Sequence, residues 1–132
     1  MRDAVRRRWR SERGANSVEF VLYTPLMFLI IFLIVQFALT WHANQVASAT
    51  AREAARLARG SHSESHAETG AQAFLDAVGR HNLQNADIDV IIIGDDTVRA
   101  TVTGRSREIL PGMSPRVEQV IEGPLERFIP DW

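Results

Sequence analysis

Residues 20–39 form a twenty-residue apolar run in which only Tyr23, Thr24, Pro25 and Gln36 depart from Val, Leu, Ile, Met, Phe and Ala. In a helix, at about 1.5 Å per residue, such a run covers roughly 30 Å, the thickness of a bilayer's hydrocarbon core. Lipid offers no partner to a backbone N–H or C=O, so the run is predicted to be helical throughout. The rest of the 132-residue chain has room for one modest domain outside the membrane, too small for a large-cleft enzyme.

Charge around the run gives it a direction. Arg2, Arg6, Arg7, Arg8, Arg10 and Arg13 precede it against Asp3 and Glu12, so the head is strongly basic. The positive-inside rule then keeps the head cytoplasmic and puts everything after Trp41 outside, in a single-pass inner-membrane topology. The formal net charge of −1 hides this split, because the remaining chain is acidic on balance. Direct nucleic-acid binding has no compositional support there. There is no cysteine, hence no disulfide, thiolate metal site or cysteine nucleophile.

Beyond the run, residues 43–59 lack Gly and Pro and repeat alanine at helical spacing: Ala47, Ala51, Ala54, Ala55 and Ala58. This small-residue stripe suits close helix packing, and Glu53 is in register with Arg56 on a neighbouring polar face. Gly60 is expected to cap the helix, with 61–68 as a polar connector. A second helix over about 67–81 would turn Ala71, Phe74, Leu75 and Val78 to one side. Residues 87–93 and 97–103, joined by Gly94-Asp95-Asp96, read as an antiparallel hairpin. Residues 117–121 read as a third strand with a polar middle member, Gln119, over a short helix as the alternative. A tail over 125–132 is expected to fold Phe128 and Trp132 back on the domain. The fold class is therefore α+β: a long N-terminal helix, half transmembrane and half extension, a shorter helix and a small antiparallel sheet.

The leading edge of the run carries the most specific signal. RGANSVEF places Gly14 before Ala15 and an acidic residue, Glu19, at the mouth of the span. A carboxylate among apolar helices costs about 2.5–3.5 kcal/mol on insertion scales. With VEFVLYTPLMFLI and the Ala/Arg block ATAREAARLARG, residues 13–60 resemble the type IV prepilin class, and more closely the TadE-like family of the tight-adherence pilus system. EGPLERF, residues 122–128, is also similar to that family.

The resemblance implies a pilin-like layout and a leader, residues 1–14, removed by a membrane prepilin peptidase between Gly14 and Ala15. It implies a mature helix over 15–60, an outer domain over 61–132, and Glu19 at mature position five. There Glu19 would meet the new amino terminus of a neighbouring subunit and fix axial register. Implied partners are the membrane, the peptidase, the major pilin, other TadE- or TadG-like proteins and the inner-membrane assembly platform. Adhesion or secretion would be the outcome, possession of a catalytic activity would not. Pro25, which removes a helical hydrogen bond, would loosen the span for packing; Gln36 fits either an inter-helix hydrogen bond or an outer-interface position.

Two other readings stay open. An ordinary signal-anchor, whose Glu19 snorkels to the interface, would leave an uncleaved single-pass scaffold that recruits an envelope protein. Cleavage at the A-x-A-like Ala47-Ser48-Ala49 would release a secreted domain, although the apolar run is long for a signal peptide. No cofactor is implied. His62 and His66 have i,i+4 spacing without a third ligand, and Asp87, Asp89, Asp95 and Asp96 do not follow a calcium-loop pattern, so no metal is expected. P-loop, dinucleotide and nucleophile-elbow motifs are missing.

Overall fold

A computed structural model describes residues 2–125, with side chains from Asn16 onward. The order is α1 (Arg2–Ser61), α2 (Glu64–Val78), β1 (Leu83–Ile93), β2 (Thr97–Ser106) and β3 (Arg116–Pro124). The three strands form an antiparallel sheet in the order β1-β2-β3, which makes the fold α+β. The chain divides into two units, Met1–Val35 and Gln36–Trp132, so the Ala/Arg half of α1 belongs to the second. The tail carrying Phe128 and Trp132 lies outside the described residues.

In the second unit, β2 alternates strictly, with Val98, Ala100, Val102, Gly104 and Ser106 buried between more exposed neighbours. Its inward residues stand beside Ile88, Val90 and Ile92 of β1 and beside Val117, Gln119, Ile121 and Gly123 of β3. Two apolar clusters join this face to the helices. One contains Ala54, Ala55, Ala58, Ala67, Ala71, Val90, Val98 and Ala100; the other contains Ala43, Val46, Ala47, Ala51, Leu75, Leu83, Val102 and Val117. The opposite face of the sheet is more exposed and mainly polar, with Ile91, Ile93 and Val120 set among its Thr, Arg, Asp and Glu side chains.

Several expectations change. Gly60 is not the cap: α1 continues to Ser61, and His62 makes the break with φ 54, its N–H donating to the Ala58 carbonyl at 2.9 Å. The connector shrinks to two residues, because the Ser63 hydroxyl accepts from the His66 N–H and starts α2 at Glu64. The buried face of α2 is Ala67, Ala71 and Leu75, one turn apart, whereas Val78 is 54% exposed. β1 begins four residues early, with an irregularity between Gln84 and Asp87 where Asn85 adopts φ 50. Such a bulge has no periodic signature, and asparagine tolerates that backbone better than most residues.

Residues 116–124 form a strand, and Gln119 explains how a polar residue can face inward. Its amide donates to Asn44 Oδ1 at 3.1 Å. The outer edge of β1 is occupied by α2, whose Glu64 and Glu68 carboxylates accept from the Ile92 and Val90 N–H groups at 2.7 and 3.1 Å. Two glutamates at i,i+4 thereby stand in for the next strand, which blunts that edge against pairing with another chain.

Candidate functional site

In the first unit α1 is helical through Gly14, Ala15 and Pro25 without interruption. Glu19 is exposed between Val18 and Phe20, and no hydrogen bond or ion pair to it exists among the described residues. The Thr24 hydroxyl donates to the Phe20 carbonyl at 2.7 Å, satisfying itself within its own helix one residue before Pro25.

From Val18 to Phe37 the large apolar side chains are between 38% and 74% exposed, so nothing among the described residues covers them. One helix here has the length and apolar composition to cross a membrane. Fourteen Leu, Ile, Phe and Val residues between 20 and 39 favour insertion by roughly 4–8 kcal/mol in all, taking about 0.3–0.6 kcal/mol each. That outweighs the cost of one carboxylate at the edge of the run. The arrangement is a helix with the length and composition for a single membrane pass and an exposed acid, Glu19, at the leading edge of its apolar run.

In the second unit the alanine stripe is wholly consumed. Ala47, Ala51, Ala54, Ala55 and Ala58 are each 0% exposed, packed against α2 and the sheet of their own chain. Their small size lets the helix and sheet backbones approach closely. Arg56 forks onto Glu53, with Nε and Nη2 donating at 2.9 and 2.6 Å. The hydrogen bonds from Arg56 hold the Glu53 carboxyl below its ordinary range, and the same contact raises the guanidinium.

Gln36 was ambiguous in the sequence and has a defined place in the structure. It is 3% exposed; its Nε2 donates to the Arg107 carbonyl at 3.0 Å, and its Oε1 accepts from the Ile109 and Leu110 N–H groups at 3.0 and 3.5 Å. It thus fastens the β2–β3 loop to α1, helped one turn on by Thr40 and Ser106, whose hydroxyls lie 3.2 Å apart. The available signal was a lone amide in an apolar run, but its partners lie more than seventy residues away.

Other candidate chemistry disperses. His62 stands between the helices while His66 is in α2, so they do not share a helical face. No group of three or more His, Cys, Asp or Glu side chains suited to a metal ion occurs among the described residues. A groove of about 510 Å³ between α2 and the β1 bulge is lined chiefly by Gln72, Asp76, Arg80, Gln84 and Asn85, with its charged members exposed.

No curated protein and no solved structure matches the chain. Residues 14–56 match the family model for TadE-like protein, which ties that segment, at the level of the family, to the tight-adherence pilus system.

Proposed function

We propose that the chain is a minor pilin or pseudopilin of the tight-adherence system, held in the inner membrane by α1 with its head cytoplasmic and its second unit outside. A prepilin peptidase cuts after Gly14, and the mature chain, starting at Ala15, enters or assists a surface pilus together with the major pilin, related TadE- or TadG-like proteins and the assembly platform. The observation that carries this reading is the family match beginning at residue 14 and running across the span, with Glu19 exposed inside it and no partner among the described residues.

The chemistry is one of assembly. A carboxylate at the edge of a bilayer span is retained at a cost unless a cation meets it. Cleavage before Ala15 creates such a cation, an α-ammonium, four residues from Glu19 on every copy. Within one copy the two are on the same helix; between copies, one subunit's amine meets the next subunit's carboxylate only at one axial offset, which sets register.

The mature amino terminus tests this directly. Intact-mass and N-terminal sequencing of the membrane-fraction protein are expected to give a chain starting at Ala15, and Gly14→Val is expected to leave the leader attached. Retention of the Arg-rich head by the wild-type chain in cells with an active prepilin peptidase would overturn the reading in favour of an uncleaved scaffold, and a start near Thr50 would indicate secretion.

A further inference from the structure

The β2–β3 loop, residues 107–115, is fastened to α1 at a residue that lies inside the apolar run. Gln36 precedes the end of that run, Leu39, by three positions, and it binds Arg107, Ile109 and Leu110 through both ends of its amide. Where the helix carries Gln36 into the bilayer's outer leaflet, the loop goes with it.

The loop is built for that level. Leu110-Pro111-Gly112-Met113 closes a tight turn, with Met113 N–H donating to the Leu110 carbonyl at 3.0 Å and Gly112 at φ 81, the backbone that a type II turn demands. The Glu108 carboxylate accepts from the Gly112 N–H, so the acid is engaged within the turn. Ile109 and Met113 are 42% and 43% exposed. Around this apolar tip stand three exposed arginines: Arg105 and Arg116, register partners on β2 and β3, and Arg107. At this end of an otherwise acidic unit the three arginines stand against Glu108 in the loop and, two residues further along the sheet, Asp87 and Glu118, while Asp95, Asp96 and Glu64 lie toward the other end of the sheet.

We propose that this loop is a second membrane anchor, with Ile109, Leu110 and Met113 inserted at the acyl boundary of the outer leaflet and Arg105, Arg107 and Arg116 on lipid phosphates. Apolar side chains bordered by arginines are the composition of interfacial anchors, which bury their apolar face roughly 5–10 Å into the headgroup and acyl boundary. The inserted backbone leaves water, and Gln36 supplies the partners that water would have given to Arg107, Ile109 and Leu110. The anchor rests on the reading of residues 20–39 as a bilayer span.

The chain has no cysteine, so single-cysteine labelling is clean. Full-length Ile109→Cys and Met113→Cys, carrying an environment-sensitive NBD label, are reconstituted in phosphatidylethanolamine/phosphatidylglycerol vesicles with and without lipid bearing a doxyl quencher high on the acyl chain. Phe28→Cys reports the span and His66→Cys, on exposed α2, the aqueous side. Labels at 109 and 113 are expected to emit blue-shifted and to lose about half their emission to the doxyl lipid, as expected at interfacial depth, with less loss in phosphatidylcholine vesicles. Quenching at 28 with none at 109 and 113 overturns the anchor and leaves the span standing. No quenching at 28 overturns both. A blue shift at 109 and 113 without lipid quenching identifies a protein neighbour and overturns the anchor, and equal quenching in phosphatidylcholine overturns the role of the arginines.

Discussion

Two polar residues in one apolar helix illustrate how differently a side chain's surroundings decide its meaning. Glu19 has no partner among the described residues, so none of them repays its position. Glu19→Ala is therefore expected to insert at least as well as wild type, by about 2.5–3.5 kcal/mol on insertion scales at most, while pilus assembly falls. Separate quantification of membrane-inserted and surface-assembled protein checks this; undiminished assembly by Glu19→Ala would falsify the register role. Gln36, by contrast, is fully used. Gln36→Leu strands the Arg107 carbonyl and the Ile109 N–H, each at about 1–3 kcal/mol where water is scarce. Amide exchange at Ile109 is expected to speed at least about tenfold while Val98 and Val102 in the sheet stay protected. Unchanged exchange at Ile109 would mean that the clamp does not hold the loop.

At the level of elements, the fold depends on very close approach between α1 and its neighbours. A Cβ built on Gly79, the residue closing α2, would lie 2.4 and 2.8 Å from the two γ-methyls of Val46. Val46 is β-branched and 8% exposed on a helix, so it has little freedom to turn away. Gly79→Ala is expected to cost about 1–3 kcal/mol, typical of overpacking, measured by denaturant unfolding of the full chain in detergent micelles; a stability equal to wild type would show that α2 can shift outward freely. The elements themselves were largely legible beforehand. β-Branched runs on either side of Gly94-Asp95-Asp96 marked the hairpin, and alanine spacing marked the buried stripe of α1. Less legible were features without period: the bulge at Asn85, the break at His62 and the choice of face on α2. Val78 is apolar and fits the helical pattern, yet it is exposed, because Leu75 and the alanines already fill the space over the sheet. The candidate site could be named from the sequence at its leading edge, because Gly14, Glu19 and the apolar run are contiguous in the chain. It was not legible at Gln36, whose meaning requires a loop seventy residues on.

For the whole molecule, the division at Gln36 separates a helix that needs company from a unit that supplies its own. Every residue in both apolar clusters lies between Ala43 and Leu125. Of the seventeen buried apolar residues among those described, nine are alanines, so the core closes tightly while burying little area per residue. A core of that kind is sufficient rather than generous: at about 0.05–0.15 kcal/mol per residue, a unit of this size holds on the order of 5–15 kcal/mol. Residues 36–132, expressed without the preceding helix, are accordingly expected to fold alone, because they retain Gln36 and its three loop contacts and leave behind the exposed apolar side chains from Val18 to Val35. The truncated chain should remain soluble, unfold cooperatively in denaturant and show slow amide exchange at Val90, Val98 and Val102. A non-cooperative transition, or exchange at the rate of an unstructured chain, would mean that the second unit depends on the membrane helix for its fold.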